Sequence, residues 1–227
     1  MIRVEPRDPA TQSEGVVQGY VQTGWRWPAQ PLARRTHGMA ELTGPRDLTK
    51  RLAPVRGDLA GYGDKRAIGQ LIEIRARVVD EDGAPVAGAL VEIWHCNAAG
   101  KYIHPNDDND APADPNFYGA ARMVTGENGL IELRTIKPAA YPVPGTGGWW
   151  RPPHVHFSVW GRVWLSRLVT QMFFPGEPLN EHDAILMAVR DAEARARCIA
   201  KLVPKEKILI YEYQLVVRGR KATAALP

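Results

Sequence analysis

Between Leu71 and Val79 the chain reads Leu-Ile-Glu-Ile-Arg-Ala-Arg-Val-Val. Ile72, Ile74, Ala76 and Val78 alternate with Glu73, Arg75 and Arg77. Successive side chains of a strand point to opposite faces, so this period of two specifies a strand with one face in a core. Asp80-Glu-Asp-Gly83 then supplies a turn, and Ala89–Trp94 a second strand. The same grammar recurs downstream. It predicts strands at about Arg122–Thr125, at Leu130–Ile136 after Gly126-Glu-Asn-Gly129, after Pro153, at Arg167–Phe174 and at Lys207–Val217. Nineteen prolines and 21 glycines suit short strands joined by many turns. Residues 181–202 break the pattern. Ile185, Leu186, Val189, Cys198, Ile199 and Leu202 fall near helical spacing, which predicts one amphipathic helix. The expected fold is mainly β: a β-sandwich of mixed short strands with long loops and one helix in the C-terminal half.

Two stretches stand apart from the strands. Residues 1–65 are rich in Pro, Gly, Arg and Gln and show little periodicity, so they read as an N-terminal arm ahead of a domain over residues 66–227. Trp25, Trp27, Pro28 and Pro31 suit a segment that packs on this chain or on another subunit. The loops at 97–121 and 138–153 are long enough to expect function in them.

Bulk properties exclude several classes. The net charge of +4 is modest, and basic residues are dispersed beyond short clusters such as Arg34-Arg35, which argues against a nucleic-acid partner. Cys96 and Cys198 form neither a metal-type spacing nor a disulfide framework, and read as buried reduced thiols. No apolar run reaches signal-peptide or bilayer-spanning length. The expectation is a soluble cytoplasmic protein with no membrane partner.

The chemistry concentrates in Arg151-Pro-Pro-His154-Val-His156-Phe157. In a strand His154, His156 and Ser158 share one face, while Val155, Phe157 and Val159 share the other. The first face can present two imidazoles to a single ion. The spacing alone leaves the ion open. A carboxylate would complete an Fe(II) facial triad, and His₂Glu or His₃ zinc is also possible. A cupin would carry a Glu shortly after the histidines, where Phe157-Ser-Val-Trp-Gly161 stands instead. Asn106-Asp-Asp-Asn-Asp110 lacks the central Gly and terminal Glu of an EF-hand loop, and reads as a solvated turn. Tyr102 and Tyr141 lie in the two long loops and offer phenolic oxygen. Ionising a phenol near neutral pH costs roughly 4 kcal/mol, which a hard, highly charged ion such as Fe(III) repays better than Zn²⁺ or Fe(II). Each tyrosine taken alone reads better as a half-buried loop aromatic than as a ligand.

The order of several longer motifs goes further. Val79-Asp-Glu-Asp-Gly-Ala-Pro-Val86, Val91-Glu-Ile-Trp94, Asn97-Ala-Ala-Gly-Lys-Tyr102 and Asp114-Pro-Asn-Phe117 come first. Arg134-Thr-Ile-Lys-Pro138, Tyr141-Pro142, Trp150–Phe157, Thr170-Gln171 and Val217-Arg-Gly-Arg220 follow. Together, over about residues 58–221, they resemble the intradiol ring-cleaving dioxygenases, and among them the β subunits of the protocatechuate-cleaving enzymes. The N-terminal 57 residues match only at Thr43-Gly-Pro45.

The resemblance implies a non-haem Fe(III) site held by Tyr102, Tyr141, His154 and His156, with Tyr102 and His154 equatorial and Tyr141 and His156 axial. It implies that Tyr141 is also the base that takes a proton from a catechol substrate. By the same resemblance Arg151 stabilises carbanion character on the ring, and Gln171 stands behind it. The implied reaction uses O₂ to break the bond between the two hydroxylated carbons. Protocatechuate would give 3-carboxy-cis,cis-muconate, a step of a β-ketoadipate type of aromatic catabolism. The implied partner is a homologous, iron-free α subunit in a hetero-oligomer.

Three pocket positions bear on the substrate. Val143 stands where the family's β subunits commonly carry Trp, Phe173 where Tyr is frequent, and Ile185 matches an apolar wall. The family's N-terminal tyrosine that helps hold a substrate carboxylate has no counterpart legible in residues 1–57. A bulkier or differently substituted catechol is therefore an alternative substrate. A transthyretin-like binding module would share the strand–turn–strand pattern of Val79–Trp94, and an iron-free α-type subunit the fold. Neither has reason to carry all four ligand positions.

Overall fold

The computed structural model describes residues 7–13, 17, 20, 30, 57–61, 65–161, 167–203 and 207–227. Two four-stranded sheets pack face to face. The first runs β4 (Leu130–Ile136), β1 (Leu71–Val79), β10 (Leu209–Val216) and β9 (Lys201–Val203). The second runs β3 (Ala120–Val124), β2 (Leu90–Trp94), β7 (His154–Trp160) and β8 (Arg167–Phe173). In the first sheet β1 pairs parallel with β10 and antiparallel with β4, while the second is antiparallel throughout.

The period of two decides what lies between the sheets. Ile72, Ile74, Ala76 and Val78 of β1 face Val155, Phe157 and Val159 of β7 across one core, joined by Val91, Ile93, Leu133, Leu168 and Met172. The alternate residues of the second sheet face outward, and these include His154 and His156.

Three expectations need correction. The stretch 181–202 is not one helix. A 3-10 turn (Pro178–His182) leads into α1 (Ala184–Met187), then α2 (Ala192–Ala196), and the chain ends the stretch in β9. Asp183 and Asp191 are extended (ψ 111° and 120°), which no continuous helix passes through. Each accepts the N–H three residues on, so each starts a new helix. Strand β3 sits earlier than Arg122–Thr125 because Trp94 pairs with Ala120, and because the Thr125 hydroxyl is used by the Ala89 N–H and the Val86 carbonyl. The loop at 138–153 contains a small hairpin, β5 (Tyr141–Pro142) with β6 (Trp150–Arg151).

Of the arm, residues 7–13 pack on this chain's own C-terminal segment, while Leu59 and Ala60 join the main core. Thr11 and Ser13 donate to the carbonyls of Arg220 and Ala225, and Gln12 accepts from the Ala225 N–H. Val17 joins a second apolar cluster with Phe173, Ile185, Leu186, Val189 and Cys198. Trp25, Trp27, Pro28 and Pro31 lie outside the described residues.

Phe157 is fully buried between the sheets. Phe157→Ala should therefore destabilise the fold by about 3–5 kcal/mol in denaturant unfolding, with the whole transition moving as one.

Candidate metal centre

The outer face of the second sheet carries the site. β7 begins at His154, directly after Pro152-Pro153, and its register sets His154 beside Phe173 and His156 beside both Trp94 and Gln171. His154 Nδ1 lies 2.7 Å from the Pro152 carbonyl, so that nitrogen holds the proton and Nε2 keeps its lone pair. The ring of His156 stacks on Trp94, with centroids 4.9 Å apart and planes within 4°. Its Nδ1 is buried without a partner among the described residues. Ser158, on the same face, does not join the cluster. It donates to Glu92 and accepts from Arg167.

Tyr102 comes from a loop that the turn at Asn97 organises. Asn97 Oδ1 accepts the N–H groups of Ala99 and Lys101, both at 2.9 Å. Gly100 has φ +89°, and a Cβ there would stand 2.9 Å from Tyr141 Cβ. A glycine thus lets the two tyrosine loops touch. The acid-rich segment after it is more than a solvated turn. Asp107 Oδ2 accepts the Tyr102 N–H at 2.6 Å, and Asn109 Nδ2 donates to the Gly100 carbonyl at 3.1 Å. Its carboxylate anchors the backbone of Tyr102. Tyr141 is placed by β5, opposite Arg151 in the hairpin.

The four side chains converge. Tyr102 Oη lies 3.5 Å from Tyr141 Oη, 3.3 Å from His154 Nε2 and 3.2 Å from His156 Nε2. Tyr141 Oη lies 3.4 Å from His154 Nε2. Donors bound to one ion at about 2 Å stand roughly 3 Å apart when cis, so these atoms are close enough to share one. Among the described residues no three His, Cys, Asp or Glu side chains gather to hold a metal. The polar atoms that meet the two imidazoles are phenolic, not carboxylate, and this donor set fits a hard trivalent cation.

Arg151 closes the cluster from behind. It is 1% exposed. Its Nη1 lies 3.0 Å from His154 Nε2, and its Nη2 donates to Gln171 Oε1 at 2.7 Å. Its Nε donates to Asp183 Oδ2 at 2.9 Å. Gln171 is held in turn by the Pro227 carbonyl.

Comparison with known proteins agrees with this arrangement. The dioxygenase family model (Dioxygenase_C) matches residues 42–219. The protocatechuate 3,4-dioxygenase beta chain of Burkholderia cepacia is 40% identical over 96% of this chain and 95% of its own. The chain belongs to the intradiol ring-cleaving dioxygenases. A catechol 1,2-dioxygenase of Acinetobacter lwoffii is 34% identical over 63% of this chain and 56% of its own. The solved 3-chlorocatechol 1,2-dioxygenase of Rhodococcus opacus 1CP is 27% identical at a TM-score of 0.54, covering 69% of this chain and 62% of its own.

Burial governs the ionisation of the dioxygenase's site. It pushes His154 well below the ordinary histidine range and His156 down to about 3, with Arg151 adding to both. Both imidazoles are neutral and available as donors. Burial also raises both phenols, Tyr102 well above its usual value, and Arg151 only partly offsets this for Tyr141. For Arg151 itself burial disfavours the cation, but Asp183 and the two tyrosines outweigh it and its pKa rises.

The pocket positions separate. Phe173 is fully buried against His154, with centroids 5.9 Å apart. Ile185 is fully buried in the second apolar cluster beside Phe173, one layer behind the donors. Val143 is half-buried in the hairpin turn, its N–H bonded to the Trp149 carbonyl. A cavity of about 540 Å³ opens on the other sheet's outer face, near Arg75, Glu132 and Lys201, and touches none of the donor residues.

Three residues at the site were not legible in the sequence. Asp183 falls inside the single helix expected over 181–202, and nothing in its neighbourhood announces Arg151. Tyr20 stands edge-on to Trp149 at 5.7 Å and near enough to Tyr141 to disfavour its ionisation. The arm thus sends a tyrosine to the edge of the site, and nothing in residues 1–57 announced it. His95 is fully buried, its Nδ1–H on the Cys96 carbonyl at 2.7 Å and its Nε2 accepting from Thr135 at 2.8 Å.

Burial lowers His95 from 6.5 to about 4. The folded protein keeps it neutral where the unfolded chain protonates it, so its contribution is complete above pH 6.5 and is lost as pH falls toward 4. His95→Gln should lose about 2 kcal/mol less stability than wild type between about pH 7.5 and about pH 5. Parallel unfolding curves at the two pH values check this, and equal losses would refute it.

Proposed function

We propose that Tyr102, Tyr141, His154 and His156 hold one non-haem Fe(III) ion. With it the chain opens the ring of a catechol between its hydroxylated carbons, using O₂. The observation that carries this reading is the meeting of two phenolic oxygens and two imidazole Nε2 atoms, at 3.2–3.5 Å, against a buried arginine. The ion, when bound, supplies a Lewis acid that takes up the catecholate and offsets the cost of ionising the phenols. Tyr141 Oη accepts a proton from the incoming catechol, since a phenolate is a base matched to a catechol hydroxyl. Arg151 Nη1 holds a fixed positive charge where negative charge develops on the ring, in a dry site where that charge acts strongly. Gln171 and Asp183 hold the other guanidinium nitrogens.

The proposed substrate is protocatechuate, with 3-carboxy-cis,cis-muconate as product. The likeness to a protocatechuate 3,4-dioxygenase beta chain over nearly all of both chains supports this. So does Tyr20, a phenol that the arm brings beside Trp149 and Tyr141 and that is of the type to meet a substrate carboxylate. The beta-chain relative also supports a homologous α subunit as partner. Val143 supports a second reading. A valine in place of tryptophan leaves room beside the ring for a larger or different substituent.

The iron-loaded protein should be red-brown, from tyrosinate-to-iron charge transfer, and should contain one iron per site by metal analysis. His156→Ala should lose most of its iron, and Tyr141→Phe should keep iron while kcat falls at least about 100-fold. A colourless, iron-replete protein would refute the ligand set. Oxygen uptake over a panel of catechols decides the substrate: preference for protocatechuate supports the first reading, and preference for larger rings the second. Full turnover by this chain expressed alone would remove the α partner.

A further inference from the structure

Asp183 lies 32 residues from Arg151 in sequence, yet its carboxylate serves two elements at once. Oδ1 accepts the Leu186 N–H at 2.8 Å, which starts α1, and also Arg151 Nη2 at 3.3 Å. Oδ2 accepts Arg151 Nε at 2.9 Å. Both side chains are essentially without solvent contact, at 0% for Asp183 and 1% for Arg151. A cap needs no charge. Asn or Ser serves as well, and Asp191 caps α2 from the half-buried surface. A fully buried carboxylate is costly unless it is paired, so the choice of Asp at 183 answers to the arginine.

The guanidinium's hydrogens show what the pairing does. Arginine has five N–H donors in a rigid plane. Nε–H is taken by Asp183, and the two hydrogens of Nη2 by Asp183 and Gln171. Nη1 is the nitrogen that Asp183 and Gln171 leave to the donor cluster, and its neighbour there is His154 Nε2 at 3.0 Å. Two bonds from one carboxylate fix the plane of the fork, which Gln171 alone would leave free to swing about a single contact.

We propose that Asp183 is a positioning residue for ring opening. It locks the Arg151 guanidinium so that Nη1 alone points at the reacting ring, and it makes the N-terminus of α1 part of the site's rigid frame. This rests on the Fe(III) dioxygenase reading above.

The test is a double-mutant cycle on the iron-loaded protein with Asp183→Asn, Arg151→Lys and both, Asp183→Ser as a second capping variant, and Asp191→Asn as the control cap. Iron content, visible colour and thermal unfolding are read beside kcat, and the dissociation constant for protocatechuate is titrated without oxygen. Asp183→Asn and Asp183→Ser should keep iron and colour and bind protocatechuate within about threefold of wild type, while kcat falls roughly 10- to 100-fold. Arg151→Lys should lose at least as much, and the double variant little more than Arg151→Lys alone, because the two act as one unit. Asp191→Asn should keep wild-type kcat. Near-wild-type kcat in both Asp183 variants overturns the proposal. So do losses that multiply in the double variant, or loss of fold or iron in both Asp183 variants, since each assigns Asp183 a role apart from aiming Arg151. A wild-type protein without iron or turnover would instead sink the dioxygenase reading itself.

Discussion

Strand β7 has two jobs that only alternation reconciles. Val155, Phe157 and Val159 are buried to completion between the sheets, and this burial is what immobilises the backbone that carries His154 and His156 on the opposite face. The imidazoles are therefore held by the main core rather than by a loop. Their positions inherit the stiffness of close packing, in which small displacements are resisted by many contacts at once. Loss of the core face would unseat the site even though Val155, Phe157 and Val159 point away from it.

The tyrosines are delivered differently. Both come from loops, and loops need local devices to hold still. For Tyr102 these are the Asn97 turn, the left-handed Gly100 and the Asp107 carboxylate on its own N–H. For Tyr141 it is a two-residue hairpin that also delivers Arg151 to the other side of the cluster. Rigid imidazoles and loop-borne phenols divide the labour.

Electrostatics sets the state in which this site waits. Burial strips charge from every ionisable donor: histidines are pushed down and tyrosines up. The fixed charges in the innermost layer are Arg151 and its counter-ion Asp183, which together add almost no net charge but a strong local field. In this neutral donor set the guanidinium is already aimed by Asp183 and Gln171. The cost of assembling that arrangement is met by the fold, not at the moment of reaction.

How much of this could be read in the chain follows from distance along it. Strand alternation at Leu71–Val79, the His-x-His pair and the turn glycines are local, and local patterns translate directly into which face a side chain occupies. The ordered motifs extended that to the four donors and to Arg151 and Gln171, which the structure brings together within a few ångströms. Boundaries failed where a side chain overrode propensity, as when Asp183 and Asp191 divided one apparent helix into two. Asp183, His95 and Tyr20 were silent because their roles rest on contacts with residues tens to more than a hundred positions away, and a single sequence carries no record of such pairs. Asp107 was silent although its contact, the Tyr102 N–H, is local, because an acid-rich stretch reads the same whether its carboxylates face water or the backbone. The sequence by itself determined the sheet faces, the donor types and the reaction family. The tertiary structure alone decided which acid holds the arginine, which acid holds the tyrosine loop and which part of the arm reaches the site, because those depend on how two sheets and their loops close in space.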